Sequence, residues 1–202
     1  MHRVIEVYPY NKTKVRVKLD SGFTFALYKG EILKNKIKED EYLSDETVEK
    51  IVEEILKKRA KERALYLIKD MSKTKKQISD KLAKDYYPQC VIDYVIDFLE
   101  EYSFVDDYEY ACHYVQAYSS RKSIAQIKND LYKKGIDKSL ADIALSENEI
   151  DEDSSIVKLI EKNKKKYDLM DVNGKRKFYA MLMRKGYAYD CINRALNLME
   201  LI

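Results

Sequence analysis

Leu82, Leu131 and Leu182 mark the same point in a pattern that occurs three times, at separations of 49 and 51 residues. An apolar residue precedes each by four positions: Ile78, Ile127 and Phe178. Gly135 and Gly186 follow the second and third by four, where the first copy has Tyr86. Five residues further on a new apolar stretch opens, at Val91, Leu140 and Cys191. Self-similarity with a period near 50 residues signals stacked helical units, each of which buries its apolar face only against its neighbours. Such an array offers a long surface suited to lying along another macromolecule.

Helix-start chemistry supports the repeat independently. Thr74-Lys75-Lys76-Gln77 and Ser123-Ile124-Ala125-Gln126 read as capping boxes, each opening eight residues before its leucine. Gly174 holds that place in the third copy, as a weaker cap. Gly135 and Gly186 fall where a left-handed residue ends the helix. Third helices follow, with Pro88 at a first helical position and Asp137 as a cap. The apolar residues Ile192, Ala195, Leu196 and Met199 carry the last one.

The first 30 residues differ. Val15, Val17 and Leu19 alternate with Arg16 and Lys18, and Phe23, Phe25 and Leu27 alternate with Thr24 and Ala26. Period two means strands with one covered face. Asp20-Ser21-Gly22 suits a hairpin loop, and Val4–Tyr8 is a third candidate strand. A connector follows, with a short helical piece at Glu31–Lys38. Ser44 then caps a long helix whose stripe is Val48, Ile51, Val52, Ile55 and Leu56.

The predicted fold is therefore mainly α: three tandem three-helix repeats in a curved, elongated array, preceded by a small antiparallel β-hairpin or three-stranded sheet. The expected divisions are 1–45 for the hairpin and connector, 46–107 for the long helix and first repeat, 108–153 for the second repeat and 154–202 for the third. The acidic run Glu147–Asp153 reads as an exposed joint.

Charge is unevenly spread although the net charge is only +3. Residues 57–90 carry 11 basic and 4 acidic groups, residues 91–154 carry 6 and 15, and residues 155–202 carry 11 and 5. A basic–acidic–basic chain can meet nucleic acid, an acidic protein, or both; solvated helix faces are the plainer explanation. Cys90, Cys112 and Cys191 are odd in number, with no CxxC, and only His2 and His113 accompany them. Neither a disulfide framework nor a metal site is expected; each cysteine reads as a small core residue. No signal peptide or apolar run of membrane-spanning length is evident, so a cytoplasmic protein is expected.

Catalytic signatures are absent: no P-loop, dinucleotide fingerprint, HExxH or nucleophile–base pair occurs. The densest carboxylate cluster is Glu100, Glu101, Asp106, Asp107 and Glu109; it lacks the EF-hand spacing and reads as the end of one helix and the start of another. No cofactor is expected. Of the 18 tyrosines, Tyr114 and Tyr118 fall on apolar stripes. Tyr86, Tyr87, Tyr187 and Tyr189 sit in turns beside lysines, where they could stack bases, anchor a partner, or simply pack.

Basic residues recur at the start of each second helix: Lys73, Lys75 and Lys76; Arg121 and Lys122; Lys175, Arg176 and Lys177. Lys164 and Lys165 add a further cluster. A basic group at one repeat position would form a stripe suited to a phosphate backbone or an acidic filament groove. Two binding functions are open on this evidence: a protein that modulates a nucleoprotein filament, and a helical-repeat protein that binds single-stranded or duplex DNA directly.

Three linked motifs carry a resemblance. Phe104-Val105-Asp106-Asp107-Tyr108-Glu109-Tyr110-Ala111 resembles a "G-Y-L-D-D-x-x-F-A" signature. Tyr66-Leu67 followed by Thr74, Gln77-Ile78 and Lys81-Leu82 resembles "Y-L … S-x-x-E-L … K-L". Ile127, Leu131 and Lys134-Gly135-Ile136 resemble "I-x-x-E-L-x-x-K-G-I". In their order and spacing they are similar to the RecX family, bacterial regulators of the RecA recombinase, over roughly residues 50–202. The resemblance implies three tandem three-helix units that bind, as a non-enzymatic modulator, in the groove of the RecA–single-stranded DNA filament. It also implies damping of filament growth, ATP hydrolysis and strand exchange, within DNA repair by homologous recombination and the SOS response. A monomer is the default. Met71 and Lys73 stand where the family usually has arginines, and Ser103-Phe104 where it has Gly-Tyr.

Overall fold

A computed structural model describes residues 1–148 and 150–200. Four strands come first: β1 (His2–Pro9), β2 (Lys14–Leu19), β3 (Thr24–Tyr28) and β4 (Tyr42–Leu43). They form one antiparallel sheet in the order β3-β2-β1-β4. The period-two reading of the hairpin holds, but the sheet has a fourth strand where a connector is predicted. β4 is two residues long, too short to show alternation. A register shift between Val4 and Glu6 bends β1.

Directly paired residues share a face. Val7, Val17 and Phe25 align on one side, with Pro9, Val15 and Leu27 beside them. Val15, Val17, Phe25 and Leu27 are buried. They pack with Ile51, Leu56, Ala60, Ile78 and Leu82, so the sheet and first repeat share one core.

The short helix is α1 (Lys29–Lys34), starting two residues before the predicted position. α2 (Asp45–Lys50) begins at Ser44, whose hydroxyl accepts from the Thr47 N–H. The chain then runs through a π-helical stretch, Ile51–Leu56, into α3 (Lys57–Ile68). α4 (Lys75–Lys84) carries the full capping box between Thr74 and Gln77, and α5 (Gln89–Glu101) completes the first repeat. Pro88 is the cap of α5 and not its first helical residue.

The second repeat is α6 (Asp107–Tyr118), α7 (Ile124–Lys133) and α8 (Lys138–Glu147). The third is α9 (Glu152–Asn163), α10 (Val172–Arg184) and α11 (Tyr189–Leu198). Asp137 caps α8 as predicted, and Ser123 caps α7 through the Gln126 N–H. Of the acidic run, Asp151 caps α9 and Glu152 and Asp153 open it; Glu149 lies outside the described residues.

The threefold signature has a single physical cause. α4, α7 and α10 end in the same Schellman geometry. The N–H groups of Tyr87, Ile136 and Tyr187 donate back to the carbonyls of Leu82, Leu131 and Leu182 at 3.1, 3.0 and 3.4 Å. The preceding residue is left-handed in each: Tyr86 at φ 61°, Gly135 at 87° and Gly186 at 85°. The leucines and the residues five after them are all buried. Tyr86 accepts a conformation that costs a non-glycine residue about 1–2 kcal/mol.

Helix α10 departs from the predicted pattern. Its cap is Asp171, which accepts from the Gly174 N–H, so the helix starts three residues before the expected Gly174. Glycine is needed there for space: a Cβ would lie 1.8 Å from the Asp168 carbonyl oxygen.

The chain divides into compact units at 1–106 and 107–202. Within the second unit, repeats two and three are tied at the start of α7. Ser123 Oγ donates to the Lys185 carbonyl at 2.7 Å, and Glu152 accepts from the Ile124 N–H. A Cβ on Gly186 would come within 2.7 Å of Ser123 Oγ and 2.8 Å of Ala125 Cβ. Among the described residues no helix is long and apolar enough to cross a membrane.

Candidate partner-binding surfaces

The basic positions at the second-helix starts do not share one environment. In the first repeat Lys73 and Lys75 are half-buried and Lys76 is exposed. Lys75 pairs with Glu100 at 2.8 Å and Lys76 with Asp80 at 3.1 Å. In the second, Arg121 is exposed but Lys122 is not free. Its ammonium donates to Asp130 at 2.7 Å and to the Tyr114 hydroxyl at 2.8 Å, and sits 4.0 Å from the Tyr118 ring centre. The Lys122 hydrogen bond holds the Asp130 carboxyl below its ordinary pKa. Burial opposes the Lys122 charge, yet the hydrogen bonds it donates to Asp130 and Tyr114 raise its pKa.

In the third repeat the early start of α10 moves Lys175, Arg176 and Lys177 into the helix, beyond its cap. Arg176 and Lys177 are exposed and Lys175 is half-buried. Lys164 and Lys165 lie in a 3₁₀ turn after α9, with Lys165 exposed. The ten predicted residues thus split. Arg121, Lys165, Arg176 and Lys177 present open charge, whereas Lys75, Lys76 and Lys122 are neutralised by carboxylates of their own unit. Surface pairs of this kind contribute about 0–1 kcal/mol.

The turn tyrosines also split. Tyr87 and Tyr187 are buried, being the residues that close the Schellman turns. The Tyr187 hydroxyl meets Ser155 Oγ at 3.0 Å, and burial pushes the Tyr87 hydroxyl up to about 12. Tyr86 is half-buried against the sheet, edge-on to Tyr10, while Tyr189 is exposed. Cys191 is buried and Cys112 half-buried, but Cys90 is exposed, against the expectation of a core residue. It sits in the first turn of α5, ahead of the buried stripe of Val91, Ile92 and Val95.

Sequence reading missed an aromatic surface between α3 and α5. Lys57 and Lys61 lie one turn apart on α3, with ammoniums 4.3 and 4.7 Å from the Tyr94 ring centre. Lys61 also sits 4.1 Å from that of Phe98. Phe98 touches Tyr102, which stacks near-parallel on Phe104. Tyr102 and Phe104 are 60% and 50% exposed. Glu53 neutralises Lys57 at 2.5 Å; Lys61 makes no ion pair among the described residues. Apolar rings held open beside an ammonium suit a macromolecular contact. The available signal was the i, i+4 spacing of Lys57 with Lys61 and of Tyr94 with Phe98.

Glu100 and Glu101 end α5, and Asp107 and Glu109 open α6, as read from the sequence. Among the described residues no three His, Cys, Asp or Glu side chains gather where they could hold a metal ion.

Fold and surfaces together define a helical-repeat protein whose chemistry lies in charged and aromatic faces. Models of the successive three-helix domains of RecX match the chain in order: the first on residues 60–99, the second on 106–145 and the third on 151–196. The regulatory protein RecX of Clostridium perfringens (strain 13 / Type A) is 33% identical over 195 residues, spanning 94% of this chain and 91% of that protein. That of Clostridioides difficile (strain 630) is 28% identical over 199 residues, spanning 96% and 92%. The crystal structure of RecX from Lactobacillus salivarius superposes with a TM-score of 0.61 at 28% identity, over 73% of this chain and 98% of that one. A further crystal structure of a regulatory protein RecX gives 0.66 at 19% identity, over 98% and 100%, a likeness of fold. The chain belongs to the RecX family. Ser103, which replaces the signature glycine, is left-handed at φ 54° and closes α5 with the same turn geometry, Phe104 N–H donating to the Leu99 carbonyl.

Proposed function

We propose that this protein is a non-enzymatic regulator of RecA that binds in the groove of the RecA–single-stranded DNA filament and limits its growth, ATP hydrolysis and strand exchange. Family membership along nearly the whole chain, with all three domains in order, carries the proposal. The second and third repeats supply exposed cations at Arg121, Lys165, Arg176 and Lys177, and the α3–α5 surface supplies open aromatic rings. It acts as a cytoplasmic monomer, without a cofactor.

The test is single-strand-dependent ATP hydrolysis by RecA, titrated with this protein at fixed DNA. Loss of hydrolysis at substoichiometric amounts is the expected result, because a regulator acting on filament growth affects many subunits per molecule bound. Unchanged hydrolysis and filament assembly at equimolar ratio and above would refute it.

A further inference from the structure

The N-terminal sheet lies outside all three matched domains, and its second face is built differently from the one on the core. Register places Arg16 between Tyr8 and Ala26, Lys18 between Glu6 and Thr24, and Lys14 beside Tyr28. Lys14, Arg16 and Lys18 therefore stand in a row on the face opposite Val15 and Val17, repeating about every 6.8 Å along β2. That spacing is on the scale of one nucleotide of an extended strand.

Aromatic rings flank the row. Tyr8 is 61% and Tyr28 42% exposed. The Arg16 guanidinium lies 5.7 Å from the Tyr8 ring centre, and Lys14 5.3 Å from that of Tyr28. Arg16 is anchored: it pairs with Glu6 and donates to the Tyr86 hydroxyl. Lys14 and Lys18, on either side, make no ion pair among the described residues. Arg59 and Arg63 of α3 crowd Lys14 further, but their charge is taken by Glu31 and Asp85. Burial and those two guanidiniums hold the Lys14 ammonium below its ordinary pKa. A half-buried cation among like charges is a place where an arriving anion relieves repulsion.

We infer that this polar face binds single-stranded nucleic acid, with Lys14 and Lys18 on successive phosphates and the Tyr8 and Tyr28 rings receiving bases. Alternating cations with interleaved exposed rings are the pattern of sequence-tolerant single-strand sites, where phosphate contacts supply affinity and stacking adds to it. Of the three cations only Lys18 is fully exposed, with Lys14 half-buried and Arg16 held against Tyr86. The site stands on the sheet's geometry and does not depend on the RecA reading.

The experiment uses the full chain and a fluorescein-labelled oligothymidylate, read by anisotropy across a salt series. Wild type is expected to bind at low salt. The Lys14→Gln/Lys18→Gln double variant is expected to flatten the dependence of log K on log salt by about 1.4, at roughly 0.7 per single-strand phosphate contact. Tyr8→Leu keeps the wild-type slope and weakens binding by roughly fivefold or more. Tyr8 and Lys18 are exposed and Lys14 is half-buried with no ion pair among the described residues, so far-UV circular dichroism of the variants is expected to match wild type. Any of three results overturns the inference: no binding by wild type at low salt, an unchanged slope and affinity in the double variant, or tighter binding to a duplex of equal length. The hydrolysis titration of RecA is read separately and bears only on the family function.

Discussion

At the start of α7 the Lys122 ammonium lies 4.0 Å from the Tyr118 ring centre and is closed off by Asp130 at 2.7 Å. On β2 the Lys14 ammonium lies 5.3 Å from the Tyr28 ring centre, and among the described residues no carboxylate pairs with it. By residue type the two neighbourhoods are alike: a lysine, a tyrosine and further cations close by. What separates them is one acid. Asp130 is eight residues from Lys122 and turns it into part of the second repeat's own packing, with Tyr114 sharing the charge. The acids near Lys14 are already committed to arginines, Glu31 to Arg59 and Asp85 to Arg63. A basic-aromatic cluster is thus a candidate surface only after its carboxylates have been assigned.

The contrast can be attacked at several strengths. Leu131→Ala sets the scale, because Leu131 is fully buried under α7. It should lower unfolding free energy in urea by about 2–5 kcal/mol, and a smaller loss would mean that the second repeat's core is looser than the structure shows. Asp130→Asn should come next, at about 1 kcal/mol near neutral pH. The folded Asp130 carboxyl titrates below its ordinary value. Its contribution is therefore complete above the unfolded pKa of about 3.9 and is lost as pH falls through the lower folded value. The gap between wild type and variant should close at that acid extreme; a gap that persists there would rule out the ion pair as its source.

Reversal of Lys73, Lys75 and Lys76 to Glu should change stability by less than about 1 kcal/mol. The lost pairs with Glu100 and Asp80 are offset by negative charge at the start of α4, where the helix dipole favours it. Filament binding should still weaken in a co-sedimentation assay with RecA and single-stranded DNA. If this variant unfolds like Leu131→Ala, the separation of surface from core fails in the first repeat. Lys14→Gln should have the smallest effect on folding, within about 0.5 kcal/mol, since it removes a charge that the fold holds at a disadvantage. A large loss would show that Lys14 is as structural as Lys122.

Much of the architecture was readable because it rests on local rules. The leucine, glycine and following apolar residue of each copy are the parts of one helix-ending motif, and the caps at Ser44, Thr74, Ser123 and Asp137 obey side-chain chemistry within three residues. Reading failed where a distant atom decides. Gly174 looked like a cap because only spacing was visible, whereas the Asp168 carbonyl, six residues away, requires the glycine and the Asp171 side chain caps the helix. β4 has too few residues to show a period. Tyr87 and Tyr187 looked like turn residues available to a partner, but Ile136 at the equivalent place in the second copy already marked that position as interior. For the candidate surfaces, charge was legible and neutralisation was not. Asp130 lies within the sequence neighbourhood of Lys122, but Glu100 reaches Lys75 from the far end of the next helix, 25 residues on. The alternation of Lys14, Arg16 and Lys18 was visible throughout, and served only to identify a strand.

The π-helical stretch Ile51–Leu56 is, in effect, a phase adjuster written into one long helix. Its wider turns absorb one extra residue, so the buried positions step by five from Ile51 to Leu56 and by four through Ala60 to Ala64. A residue removed from an ordinary α-helix rotates everything beyond it by about 100°. Removal of one residue here leaves a regular helix but turns Ala60 and Ala64 away from the first repeat, together with Lys57 and Lys61, which face Tyr94. The segment therefore fixes the rotation between the residues before it and those after it, holding Ile51 and Leu56 in the same core as Ala60 and Ala64.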